Sequence, residues 1–99
     1  PPMRVRILTP AREEFLESAT FYEREAEGLG AEFIDAFEHA VQLLASNPHL
    51  GSHFEGSVRR KLLRRFPFQL IYEVTPDEVL VVAVAHLSRR PGYWRDRLR

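Results

Sequence analysis

The sequence predicts an α+β fold in a single domain: a short N-terminal strand, then an α-helical hairpin packed on one face of an antiparallel sheet that ends in a three-strand meander. Three observations predict it. Apolar residues recur at three- and four-residue steps between Ala11 and Leu44, the spacing of helices. From Ser57 onward the period switches to two, the spacing of strands. A chain of 99 residues with 44% hydrophobic content holds one small core and leaves no room for a second domain.

The elements follow in order. "RVRILT", residues 4–9, sets Val5 and Ile7 opposite Arg4, Arg6 and Leu8 and reads as a strand. Thr9-Pro10 is a helix start, with a hydroxyl cap, proline at the first helical position, and Glu13 and Glu14 near the positive end of the dipole. Ala11, Phe15, Ala19, Tyr22 and Ala26 form one apolar stripe with Leu16 beside it, which leaves Glu13, Glu17, Glu23 and Glu27 solvated. This helix is expected to end near Gly28. "EGLG" breaks the chain, and a second helix from about Ala31 to Ser46 carries Phe33, Ile34, Phe37, Ala40, Val41 and Leu44 on a wide apolar face. Asn47-Pro48 stops it. So short a link makes the two helices an antiparallel hairpin.

"HLGSHFEG" reads as a loop. On a helix, His49 and His53 would present two metal ligands on one face, but Pro48, Gly51 and Gly56 oppose a helix and no third ligand is close. They read as exposed loop histidines, and no metal site is expected. A strand over 57–66 sets Val58, Arg60, Leu62, Arg64 and Phe66 against Arg59, Lys61, Leu63 and Arg65. Pro67 bends the chain into a strand with Phe68, Leu70, Tyr72 and Val74 on one face. "TPDE" is a turn, and "VLVVAVAHL" is apolar on both faces, as a central strand is. Pro91-Gly92 prevents that strand from continuing, and a basic tail follows in which Tyr93 and Trp94 stand among Arg89, Arg90, Arg95, Arg97 and Arg99.

Composition excludes several classes. With no cysteine there is no disulfide or thiolate metal site, and a cytoplasmic setting is expected. The start carries no signal-peptide segment, and residues 1–3, with two prolines ahead of Met3, read as an appended remnant outside the fold. The longest apolar run is about half of what a membrane helix needs, so no membrane association is expected. There is no glycine-rich phosphate loop, no paired carboxylate site and no Ser–His–acid arrangement, and no cofactor is expected. The balanced charge hides an asymmetry: residues 1–50 hold four cations against nine acids, and residues 51–99 hold ten against five. A basic half points to an anionic partner.

The candidate site residues lie in that half. Arg59, Lys61 and Arg65 share one strand parity and Arg60 and Arg64 the other, giving two rows of cations on the sheet face or edge that the helices leave open. Arginine presents a planar fork suited to phosphate or carboxylate, and Tyr93 and Trp94 offer stacking surfaces. The competing reading is an edge strand guarded by charge against aggregation. His86, Arg89 and Tyr93 together hold the groups of an acid/base site, although a lone strand-end histidine more often serves as a structural hydrogen-bonding residue. Glu73 is expected to pair with an arginine on the neighbouring strand.

Four stretches carry a family resemblance: "VRILTPARE", "FYEREAEGLGAEFIDAFEHAVQLLASNPHLG", "RRKLLRRFPFQLIYEV" and "VVAVAHLSRRPGYW". Together they resemble the ParE/RelE superfamily of bacterial type II toxins, also known as plasmid stabilisation proteins. The resemblance implies a helical hairpin on a sheet and a cognate antitoxin whose acidic or amphipathic segment wraps the toxin. Two activities diverge within the superfamily. RelE-like members cut mRNA on the ribosome, and that activity would place phosphate contact on Lys61 and Arg65, charge stabilisation on Arg89, and proton transfer on His86 or Tyr93. ParE-like members bind DNA gyrase and are not nucleases. A single lysine stands where RelE-like proteins tend to show several, and the Glu-rich hairpin and "HLSRRPGYW" look more ParE-like. The resemblance thus favours a non-enzymatic toxin acting on gyrase over a ribosome-dependent endoribonuclease or a non-toxic basic binding module. Arg59, Arg60, Arg64, Arg65, Arg89, Arg90 and Trp94 are the candidates for contact with target or antitoxin. The antitoxin is expected either at the seam between the hairpin and strand 57–66 or on the sheet surface lined by Arg60, Arg64 and Arg89.

Overall fold

A computed structural model describes residues 1–98. It contains β1 (Arg4–Ile7), α1 (Thr9–Glu25), α2 (Leu29–Ser46), β2 (Ser52–Glu55), β3 (Val58–Leu62), β4 (Phe68–Val74), β5 (Glu78–His86) and a closing 3-10 turn, Arg95–Leu98. The five strands form one sheet in the order β1-β5-β4-β3-β2. The expected helical hairpin and C-terminal meander are both present, but the sheet is mixed. β1 lies parallel to β5, with Arg4 opposite Glu78 and Ile7 opposite Val81, while the other pairs are antiparallel. In this register the Arg6 guanidinium reaches Glu78 at 2.9 Å across the strand ends.

Local chemistry explains the shifted boundaries. Leu8, not Thr9, is the extended N-cap of α1; Thr9 is already helical, and no side chain caps the turn. α1 ends at Glu25, and Gly28, at φ 86°, begins α2 instead. That left-handed conformation suits glycine. Glu23, expected in solvent, accepts the backbone N–H groups of Gly28 and Gly30 at 3.1 and 3.0 Å and so caps α2 from the preceding helix.

Two differences matter for function. The segment read as the loop "HLGSHFEG" contains β2, a short, polar and bulged edge strand paired with β3. β3 stops at Leu62, so Arg64 and Arg65 fall in the turn before β4, where Arg65 takes φ 67°. The expected rows of alternating cations therefore end at Lys61.

The helix-facing core contains Phe33, Leu44, Leu70, Tyr72, Val79 and Val81. The opposite sheet face is also covered: Trp94 packs on Val58, Ile71, Val82 and Ala83. A bulge in β5 feeds both layers. Ile71 pairs with Ala83 and Tyr72 with Val81, so Val82 is an extra residue. Val82 and Ala83 join the outer cluster, and Val84 returns to the helix side.

Tyr72 anchors the approach to β2. Its hydroxyl donates to the Pro48 carbonyl at 2.7 Å and accepts from the buried Gly51 N–H at 2.9 Å. Tyr72→Phe leaves both groups without that partner and is expected to lower stability by about 1–3 kcal/mol in urea unfolding. An unchanged midpoint would mean that other partners satisfy them.

Candidate functional site

The cations sort into two sets. Several are committed to partners within the fold. Arg65 reaches Glu32 of α2 at 2.6 Å, Arg95 reaches Glu55 at 2.6 Å, and Arg97 reaches Glu14 at 2.9 Å. Arg59 points to the helix side and donates to the Gly51 and His49 carbonyls at 2.9 and 3.4 Å. Lys61 donates from Nζ to the Leu62 carbonyl at 3.0 Å. Arg64 is exposed in its turn.

Arg60, Arg89 and Arg90 form the other set. They line one hollow of about 160 Å³ on the sheet face away from the helices, together with Phe54, Gln69, Ile71, His86, Tyr93 and Trp94. The Arg60 guanidinium lies 5.5 Å from the Phe54 ring centroid and that of Arg89 3.8 Å from the Tyr93 centroid. Stacking on aromatic faces holds the forks without neutralising them. No carboxylate lines the hollow, and none pairs with these three arginines among the described residues. The buried Gln69 Oε1 at its wall has no hydrogen-bond partner among the described residues. Three guanidinium groups without a carboxylate have the chemistry to receive an anion, and Gln69 Oε1 the chemistry to receive a donor.

The acid/base candidates are held differently. His86 packs edge-on against Phe68 at 5.1 Å, and its Nδ1 accepts the Ser88 N–H at 3.0 Å. The Tyr93 hydroxyl donates to Glu14 Oε2 at 2.6 Å. Burial, then the Glu14 carboxylate, push the Tyr93 phenol far above its ordinary range, so it stays protonated. Lys61 and Arg65 do not line the hollow. The structure thus brings together His86, Arg89 and Tyr93 but not the two phosphate-contact candidates. Trp94 is only 2% exposed, so it is a buried support beneath Phe54 at 5.9 Å and presents no stacking surface to a partner. Glu73 accepts from the Ser57 hydroxyl rather than from an arginine.

Glu14 is the residue the sequence reading missed. Its carboxylate accepts the Val84 N–H at 3.0 Å, the Tyr93 hydroxyl, and both Arg97 Nη atoms at 2.9 Å. Arg97 Nη1 also donates to the Val82 carbonyl at 3.0 Å. The signal was its place three residues after Ala11, on the apolar stripe, where a solvated carboxylate does not belong. His49 and His53 sit on the edge segment, with His53 Nε2 2.5 Å from the Gly56 carbonyl oxygen. Among the described residues no group of three or more His, Asp or Glu is placed to hold a metal, and no helix is long and apolar enough to cross a membrane.

A family model described as "ParE toxin of type II toxin-antitoxin system, parDE" matches residues 5–91. The chain belongs to the ParE toxin family. A solved structure titled "Chromosomal ParDE TA system from P. aeruginosa" superposes with a TM-score of 0.71, covering 85% of this chain and 95% of that one at 17% identity. At that identity the likeness speaks for the fold, and it agrees with a helical hairpin on a five-strand mixed sheet. No curated protein matches. The ParE side of the superfamily resemblance holds for this chain, and its ParE fold carries the arginine hollow on the sheet face opposite the hairpin.

Proposed function

We propose that this ParE-family toxin acts in the cytoplasm by binding DNA gyrase, performs no chemistry of its own, and is neutralised by an antitoxin encoded alongside it. The observation that carries this reading is the hollow itself: Arg60, Arg89 and Arg90 have no carboxylate partner among the described residues and stand beside apolar and aromatic side chains. That is the composition of a protein-binding surface, in which aromatic and arginine anchors dominate. The proton-transfer groups support the same reading. Tyr93 is bound to Glu14, His86 Nδ1 to Ser88, and Lys61 and Arg65 lie elsewhere.

Reversing two of the exposed charges tests it. Arg60→Glu with Arg90→Glu is expected to weaken inhibition of gyrase supercoiling by about a hundredfold or more, because repulsion replaces attraction at both positions. Circular dichroism and urea unfolding should stay near those of the parent, since neither arginine has a carboxylate partner among the described residues. Ribosome-dependent mRNA cleavage with gyrase untouched would replace the proposal with the endoribonuclease reading. Expression without growth arrest would favour the non-toxic binding module.

A further inference from the structure

β1 stops at Ile7, opposite Val81, and its last bond to β5 runs from the Leu8 N–H to the Val81 carbonyl at 3.0 Å. Beyond that point β5 has no neighbouring strand on this side among the described residues. Side chains finish its backbone there. Glu14 of α1 accepts the Val84 N–H, and Arg97 donates to the Val82 carbonyl. The two side chains also bind each other, at 14% and 19% exposure. Through this gap a residue of the helix layer reaches the layer on the far sheet face.

What Glu14 reaches is Tyr93. The hydroxyl donates to Glu14 Oε2 at 2.6 Å, and the Arg89 guanidinium lies 3.8 Å from the centroid of the same ring. The order of these parts matters chemically. A carboxylate placed directly on Arg89 would hold the guanidinium but cancel its charge. A neutral ring holds it by its face and leaves the charge available to a partner. The ring in turn is tethered by its hydroxyl, and the charge of Glu14 is met by Arg97, whose two Nη atoms lie at 2.9 Å.

Arg89 has a competing place to go. It also lines a second hollow of about 210 Å³, at the same end of the sheet, with Glu14 and Glu17. Glu17 is exposed and has no ion pair among the described residues. A guanidinium that leaves the ring meets that carboxylate, and pairing there would turn it away from the arginine hollow. Arg60 stands apart from this arrangement. Its ring support is Phe54, which packs on Trp94 at 5.9 Å and carries no hydroxyl for a tether.

We propose that Glu14 is a positioning residue for the arginine hollow. Acting through the Tyr93 hydroxyl, it fixes the ring on which Arg89 lies and so sets the direction in which Arg89 presents its fork. Arg60 is positioned independently of it. That a target protein reads this fork rests on the function proposed above; the hold on Arg89 does not.

The test uses the full chain, isotope-labelled, and follows the guanidinium signals of its arginines by NMR. Protons over the face of a ring are shielded by it, so the Arg89 signal should be displaced from that of exposed Arg64. In Tyr93→Phe and in Glu14→Gln the Arg89 signal is expected to move toward that of Arg64, while the Arg60 signal stays in place. Should Glu14→Gln fail to fold, Tyr93→Phe carries the test alone, since it removes one oxygen and leaves Arg97 and Val84 bound to Glu14. An Arg89 signal unmoved in Tyr93→Phe would overturn the proposal.

Inhibition of gyrase supercoiling supplies the second readout. Tyr93→Phe is expected to weaken it about fivefold. The same change should cost less than about twofold when Arg89→Ala is already present, and the full factor when Arg60→Ala is. A general loss of stability would lower both backgrounds alike, so equal factors would also overturn the proposal. A parent chain that leaves gyrase untouched retires the function proposed above, and the Arg89 signal then decides the positioning by itself.

Discussion

Replacing Glu14 by alanine is expected to lower stability by about 3–5 kcal/mol and to release residues 88–98 from the sheet. One carboxylate accepts from Val84, Tyr93 and Arg97, and the Arg97 guanidinium left behind is mostly buried. An uncompensated buried charge is among the costliest defects a small domain can carry. Urea unfolding measures the loss, and the fluorescence of the single Trp94 reports whether its cluster has opened. Removing Arg97 as well, as Glu14→Ala with Arg97→Leu, should cost less than the sum of the two single changes, because the stranded charge goes with its partner. A loss of only a few tenths of a kcal/mol in Glu14→Ala would show that water replaces the carboxylate.

The same network sets an acid limit. Burial pushes the Glu14 carboxyl up, but the Arg97, Tyr93 and Val84 donors together outweigh burial and hold it below the ordinary carboxylate range. Its folded value lies below the unfolded one, so its contribution is complete above the ordinary range and fades as pH falls through the lowered folded value. Glu55 and Glu78 are lowered as well, by hydrogen bonds from Arg95 and Arg6. The Trp94 signal should therefore show an acid transition in the parent, and Glu14→Ala should lack the part due to Glu14.

Phe33→Ala is the second large effect, expected at about 3–5 kcal/mol. The ring is fully buried between hairpin and sheet, with centroids 5.0 Å from Phe68, 5.2 Å from Phe66, 5.3 Å from Tyr22 and 6.0 Å from Phe15. Both the transfer of its atoms and the cavity left behind count, and four rings cannot all collapse inward. Domains of this size have stabilities of about 5–15 kcal/mol, so the variant should populate unfolded chain measurably at 37 °C. Calorimetry or urea titration decides it; a melting temperature near the parent's would mean the surrounding rings repack.

The helices were legible because Phe33, Phe37, Ala40 and Leu44 repeat at the helical period on a face that is buried. β4 and β5 were legible for the equivalent reason in period two. β2 was not, since "SHFE" is exposed at its start, bulged, and has no buried face to impose alternation. β1 showed itself as a strand, but periodicity says nothing of pairing direction, and its parallel register follows from where the hairpin returns the chain. Site legibility was lower still. The arginines were visible, but which ones stay unpaired depends on partners distant in sequence: Glu32 for Arg65, Glu55 for Arg95, Glu14 for Arg97. Of the cations left without a carboxylate partner among the described residues, Arg60, Arg89 and Arg90 converge on the hollow. Trp94 looked available because a basic tail normally lies in water; the bulge at Val82 instead builds a second apolar cluster for it to cover.

The Glu14–Arg97 bond joins residues 83 positions apart, and Glu14–Tyr93 joins residues 79 apart. A contact of that span closes a loop nearly as long as the chain and repays its entropy only at the end. The sheet face bearing Ile71, Val82 and Ala83 takes its cover, Trp94, from the segment that this contact ties down. The same closing segment supplies Arg89, Arg90 and Tyr93 to the arginine hollow. One glutamate of α1 thus holds Tyr93, the ring on which the Arg89 fork of the hollow stacks.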